Sequence, residues 1–281
     1  MNATTDFLAN MIERRRADIT AAWGSLTPAD LERLVCCARP TRDFTAALAT
    51  AGSVAVIAEV KRASPSAGPI APDIEASKQA LHYQAGGASA ISVLTESTAF
   101  GGSFADLSDV SDAVDVPVLC KDFVVDPLQL AVARGHGADA VLLMVSVLGA
   151  DVGRYLDEAS TFGLQCLVEV TSASELDIAR KAGASLVAVN ARDLRTLKVD
   201  TAAAAPLVAA AKAAGMTVVH ASGIRSRGDV IAAAAAGADA VLVGEALMRE
   251  PFPEDVLAVL TGVPKAPIAR STTGSSGRSG K

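Results

Sequence analysis

Gly137-Ala138-Asp139-Ala140-Val141-Leu142 returns unchanged as Gly237-Ala238-Asp239-Ala240-Val241-Leu242. In each copy a glycine that can close a helix is followed at once by residues suited to a buried strand. Each therefore reads as a helix-to-strand junction. Looser copies stand at Gly86-Gly87-Ala88-Ser89-Ala90-Ile91 and Gly183-Ala184-Ser185-Leu186-Val187. A chain that repeats this junction is alternating helices with buried strands.

Working outward, eight short aliphatic runs carry strand signals: Val54–Val60, Ala90–Leu94, Pro117–Cys120, Ala138–Met144, Gln165–Val170, Ser185–Val189, Thr217–Ala221 and Asp239–Val243. They are rich in β-branched residues or leucine and bounded by Gly, Pro, Asp or Asn. The segments between carry helix chemistry. Asp126-Pro127 supplies a cap and a first-turn proline, and that helix runs out at Gly137. Eight such units predict a closed parallel (β/α)8 TIM barrel over residues 51–262. The competing open, doubly wound sheet would usually carry a Gly-x-Gly-x-x-Gly turn after an early strand, and the sequence has none.

Composition agrees. Of 281 residues, 51% are hydrophobic but only 4% aromatic, which suits parallel strands covered on both faces by branched aliphatics. The net charge of -6 argues against a nucleic-acid partner. The one basic run, Arg14-Arg15-Arg16, reads as a solvated helix face. Cys36, Cys37, Cys120 and Cys166 lack metal-ligand spacing, and the vicinal pair is a poor disulfide candidate, so a reducing compartment is expected. With no signal-peptide pattern and no long apolar span, the expectation is a cytoplasmic protein, monomeric and without a membrane partner. Residues 1–50 are expected to form a helical extension capping the barrel. Phe7, Leu8, Met11 and Ile12 form one stripe, and Leu31, Leu34 and Val35 another. Residues 263–281 are expected to be a disordered, low-complexity tail.

In this fold the inside is packed and chemistry sits at the C-terminal ends of the strands. Charged residues there are informative. The first strand closes on Glu59 and Lys61, two apart and so on one side. Lys121 follows the third strand, Glu169 sits in the fifth, and Asn190 follows the sixth. One such residue could serve a structural ion pair, but the set favours a catalytic site. Ser222-Gly223 and Gly244-Glu245 follow the seventh and eighth strands. Glycines there let backbone N–H groups approach an anion such as phosphate. His82, His136 and His220 have no partner at metal or triad spacing and read as structural.

These residues resemble a known family. Ile57-Ala58-Glu59-Val60-Lys61-Arg62-Ala63-Ser64-Pro65-Ser66 is similar to the signature stretch of indole-3-glycerol-phosphate synthase. Leu119-Cys120-Lys121-Asp122-Phe123, Leu167-Val168-Glu169-Val170, Val189-Asn190-Ala191-Arg192-Asp193-Leu194 and Val243-Gly244-Glu245-Ala246-Leu247-Met248 follow in the family's order. Phosphoribosylanthranilate isomerase and the tryptophan synthase α chain share the barrel but not these motifs. The resemblance implies conversion of 1-(2-carboxyphenylamino)-1-deoxyribulose 5-phosphate to indole-3-glycerol phosphate, with loss of CO₂ and water and no metal or organic cofactor.

It further implies that Lys121 is the general acid for ring closure. Glu59, Lys61 and Glu169 are candidates for the dehydration step, and Asn190 orients substrate hydroxyls. Phe100, Phe123, Arg192, Leu194 and Ser222 would bind substrate, its anthranilate ring against Phe100, Phe123 and Leu194. Ser222, Gly223, Gly244 and the backbone of Glu245 would hold the phosphate. Two positions depart from the pattern. Ala221 stands where the family has glutamate, and Ala67 where a lysine is common. They keep open a specialised lyase acting on indole-3-glycerol phosphate or a related phosphate. A non-catalytic barrel that binds phosphorylated ligands is the third possibility, disfavoured by the retained Lys121, Glu169 and Asn190.

Overall fold

The structure, a computed structural model, describes residues 7–49 and 52–266. Eight parallel strands close into a barrel: β1 (Ala55–Val60), β2 (Ala90–Leu94), β3 (Val118–Lys121), β4 (Ala140–Met144), β5 (Gln165–Val170), β6 (Leu186–Asn190), β7 (Thr217–Ala221) and β8 (Ala240–Val243). Each lies within two residues of its expected place. The ring shuts where β1 pairs with β8, Ala55 opposite Ala240 and Ala58 opposite Val243. The doubly wound alternative is thereby excluded.

Side chains alternate along each strand, which sorts the core into two shells. Val56, Ala58, Val141, Leu143, Val187 and Val218 face the surrounding helices. Ile57, Leu119, Leu142, Leu167, Ala188 and Leu242 fill the barrel. An outer ring follows the strands: α4 (Ala76–Ala85), α5 (Phe104–Ala113), α6 (Leu128–Gly135), α7 (Val145–Leu148), α8 (Val152–Thr161), α9 (Ala173–Lys181), α10 (Thr201–Ala213), α11 (Arg227–Ala236), α12 (Glu245–Met248) and α13 (Pro253–Leu260). Helix α6 starts later than its sequence suggests. Pro127 stands at the cap, and the Asp126 carboxylate accepts the Leu128 N–H at 2.8 Å.

The repeated hexapeptide has a common job. Asp139 accepts the Val118 N–H at 2.7 Å, and Asp239 the Val218 N–H at 3.0 Å, so each carboxylate caps the strand before its own. Each also takes cations from elsewhere in the chain. Arg39 grips Asp139 through two nitrogens at 3.0 and 2.9 Å, and the Arg42 N–H adds a bond at 2.7 Å. Lys212 meets both oxygens of Asp239 at 2.7 and 2.8 Å, with Lys265 at 3.7 Å.

Before the barrel come α1 (Phe7–Trp23), α2 (Pro28–Cys37) and α3 (Phe44–Leu48). Helix α3 lies under the N-terminal end of the barrel. Its Phe44 and Leu48 are fully buried among the inward-facing residues, and the Thr45 N–H bonds Gln165 at the start of β5. Helix α1 lies over the other end. Its buried stripe is Leu8, Met11, Arg15 and Ile19, which corrects the expectation of a solvated basic face. Arg14 and Arg16 are exposed, but the Arg15 guanidinium bonds both oxygens of Asp122 at 2.8 and 2.7 Å.

The expected tail boundary at 263 is also corrected. Val263 is buried and its carbonyl accepts the Val54 N–H, while the Lys265 N–H bonds Gly52. Val263 and Lys265 together dock the segment beside the start of β1, where the Lys265 ammonium also donates to the Leu48 carbonyl at 3.2 Å. The low-complexity stretch 270–281 lies outside the described residues.

Candidate active site

A cavity of about 530 Å³ opens at the C-terminal end of the barrel. Glu59, Lys61, Phe100, Lys121, Asn190, Arg192, Leu194, Ser222, Gly223, Gly244 and Glu245 all line it. Glu169 and Phe123, grouped with these by sequence, do not line the cavity. Both are buried just behind it, Phe123 with its ring 6.2 Å from that of Phe100.

The charged centre is Glu59. One carboxylate oxygen accepts from Lys61 at 2.8 Å and the other from Lys121 at 2.7 Å. Burial alone would raise its pKa, but Lys121 and then Lys61 outweigh burial and hold the carboxyl at about 2. Burial likewise works against the Lys121 ammonium. The negative charges of Glu59 and Glu169 outweigh it, and Lys121 lies above the ordinary lysine value. Glu169 goes the other way from Glu59. Burial pushes its carboxyl above the usual range, and the opposing pull of Lys121 and the Asn190 amide is smaller.

Asn190 works as a bracket. Its Oδ1 accepts the Arg192 N–H at 3.0 Å and the Ser222 hydroxyl at 2.8 Å, joining the ends of β6 and β7. Ser222 has φ of 69°, unusual for a residue with a side chain, and Gly223 follows at 84°. A β-carbon on Gly223 would come within 2.4 Å of Thr201. One on Gly244 would come within 2.5 Å of the Glu59 carboxylate and 3.1 Å of the Lys61 ammonium. Only glycine lets these turns approach so closely. The Glu245 carboxylate turns to Arg249 at 2.9 Å, which depresses its pKa.

Several lining residues escaped the sequence analysis. Phe7 comes from α1, and Arg225 and Arg249 stand beyond the glycine turns. Arg249 had a usable signal, four residues after Glu245. Ser66, whose hydroxyl accepts from Arg192 at 3.2 Å, closes the signature stretch quoted above, but nothing in the sequence paired it with Arg192. Ala221 faces into the barrel, paired in register with Asn190 and Leu242. His220 points the other way, and burial lowers its imidazole pKa.

Fold and cavity together place the chain among the (β/α)8-barrel enzymes that act on small molecules. Comparison with known proteins narrows this. The family model for indole-3-glycerol phosphate synthase matches residues 8–259. Proteins of that name from Mycobacterium ulcerans and Mycobacterium tuberculosis are each 44% identical over 254 residues, covering 90% of this chain and 93% of theirs. Among solved structures, a 3-hexulose-6-phosphate synthase superposes with a TM-score of 0.61 at 18% identity, covering 74% of this chain and 98% of its own. Thiamine phosphate pyrophosphorylase from Pyrococcus furiosus gives 0.55, also at 18%, covering 74% and 93%. At that identity both speak for the fold alone. The chain belongs to the indole-3-glycerol phosphate synthase family, a family of carboxy-lyases. No described helix is long and apolar enough to cross a membrane.

Proposed function

We propose that this cavity closes 1-(2-carboxyphenylamino)-1-deoxyribulose 5-phosphate to indole-3-glycerol phosphate, with Lys121 as the acid of ring closure. The observation that carries the assignment is the Lys61–Glu59–Lys121 cluster standing beside a carboxyl, Glu169, of opposite proton affinity. As the ring carbon bearing the carboxylate attacks the sugar carbonyl, Lys121 donates a proton to the carbonyl oxygen. CO₂ then leaves and the ring regains aromaticity. Elimination of the new hydroxyl as water needs a group that can both take and return a proton. Glu59 is held ionised and serves to place both lysines, so Glu169, coupled to Lys121 and the Asn190 amide, takes this role through them from behind the cavity wall. Asn190 and Arg192 orient the sugar, and Phe100 and Leu194 flank the aryl ring with Phe123 behind them. The backbone N–H groups around Ser222-Gly223 and Gly244-Glu245 receive the phosphate.

The test is direct. The purified protein is given the carboxyphenylamino sugar phosphate, and indole fluorescence, CO₂ and free indole are followed. Fluorescent product with one CO₂ per turnover is expected. Free indole from indole-3-glycerol phosphate would instead favour the specialised lyase. Lys121→Ala should lower kcat/KM by about 10³-fold or more, within the range of a lost general acid. Its thermal stability should change little, because Glu59 keeps Lys61 as a partner. A Lys121→Ala variant with unaltered turnover removes the assignment.

A further inference from the structure

Glu96 takes no part in the chemistry above, yet its side chain is buried at the rim of the site. Its charge is met by backbone. One oxygen accepts the Thr98 N–H at 2.9 Å, and the other accepts the N–H groups of Ala99 at 2.7 Å and Phe100 at 3.2 Å. The Glu96 carbonyl accepts the Gly102 N–H at 2.9 Å, which folds the loop after β2 back onto its own root. Charge-assisted bonds of this kind are among the stronger hydrogen bonds, and a buried carboxylate holding three of them fixes the backbone it binds.

The end of the caged segment is Phe100. Its N–H is held by Glu96, and its carbonyl accepts the Ala63 N–H at 3.1 Å from the loop after β1. Both peptide groups that orient the Phe100 side chain are therefore tied. Its ring lines the cavity with that of Phe123 behind. We infer that Glu96 is a positioning residue for recognition of the substrate's aryl ring: by caging the Phe100 backbone it holds one wall of the aromatic end, and through that wall it sets the preference for N-aryl over ring-free sugar phosphates.

This rests on the assignment of the aromatic end to the anthranilate ring. The experiment separates the two by measuring binding as well as turnover. Calorimetry with wild type compares the N-aryl sugar phosphate reduced at its carbonyl, which cannot close, with ribulose 5-phosphate, which has no ring. Equal affinities would overturn the assignment of the aromatic end, and the inference with it. In Glu96→Gln the amide nitrogen turns a donor toward donors at unchanged volume. Binding of the N-aryl ligand, and KM, should weaken about tenfold. Ribulose 5-phosphate affinity should stay within twofold, and kcat within about threefold. Glu96→Asp, which keeps the charge but reaches fewer N–H groups, should fall between and guards against a Gln variant that fails to fold. In a Phe100→Ala background the Glu96→Gln effect should vanish, because contacting residues that act as a unit are not additive. Equal losses for both ligands, an undiminished loss in the Phe100→Ala background, or an Asp variant with wild-type KM would each overturn the inference.

Discussion

Glu59 and Glu169 are the same amino acid in one pocket, and their surroundings drive them apart. Two lysines hold Glu59 at about 2, while burial leaves Glu169 above the ordinary carboxylate value. A base must be ionised to work, so kcat/KM should fall as pH drops through the raised Glu169 value. Glu59, still ionised there, contributes nothing to that limb. Glu169→Gln should cost at least tenfold at neutral pH and abolish the acid limb of the residual activity. A pH–rate series decides it, and an unchanged limb in the variant assigns that limb to another group. Ala221 raises the complementary question. It faces the barrel interior where the resemblance implies a carboxylate, with Asn190 and Leu242 beside it in register. Ala221→Glu should raise kcat/KM if the missing charge limits the reaction, and a tenfold gain corresponds to about 1.4 kcal/mol. Lower activity from the same Michaelis–Menten comparison would mean that the site has been rebuilt around alanine. The type and order of the charged residues were legible in sequence. Their depth was not, because Glu169 alternates correctly along β5 yet is buried without lining the cavity.

Helix α1 is the element whose sequence misleads most. Its buried stripe asks for an apolar residue at 15, and arginine stands there between Met11 and Ile19. The guanidinium lies 5.5 Å from the Trp23 ring centre and 5.9 Å from that of Phe104, and it pairs with a carboxylate that also accepts the Thr95 hydroxyl at 2.6 Å. No periodicity argument sees Asp122, more than a hundred residues away. Removing one partner of such a pair strands the other. Arg15→Met should therefore destabilise the fold by about 3–5 kcal/mol, and Arg15→Met with Asp122→Leu should recover most of it. Burial already raises the Asp122 carboxyl against the pull of Arg15, so the single variant's deficit should shrink as falling pH protonates Asp122. Denaturant titrations of both variants at pH 7 and pH 5 check this. A single variant as stable as wild type would show the pair to be dispensable. The strands were easier to place, because a parallel strand buried on both faces is a plain aliphatic run bounded by turn residues.

At the scale of the whole molecule, the repeated hexapeptide announced the barrel through its glycine and aliphatics. What its aspartates do required coordinates. Asp139 ties down the segment before the barrel through Arg39 and Arg42, and Asp239 ties down the segment after it through Lys265. Four strands separate the two ties, and both lie at the end of the ring opposite the cavity. The closing pair of strands has a different consequence, one of timing. Gly244, just past the last strand, packs against Glu59 and Lys61 at the end of the first. A nascent chain that has emerged as far as β7 already carries Lys121, Glu169 and Asn190, but the partner that completes the Glu59 wall is still unmade. Long-range parallel pairing of this kind forms late. Catalysis is thus a property the polypeptide acquires only once β8 has been made and has closed on β1, and fragments ending before β8 should show no turnover.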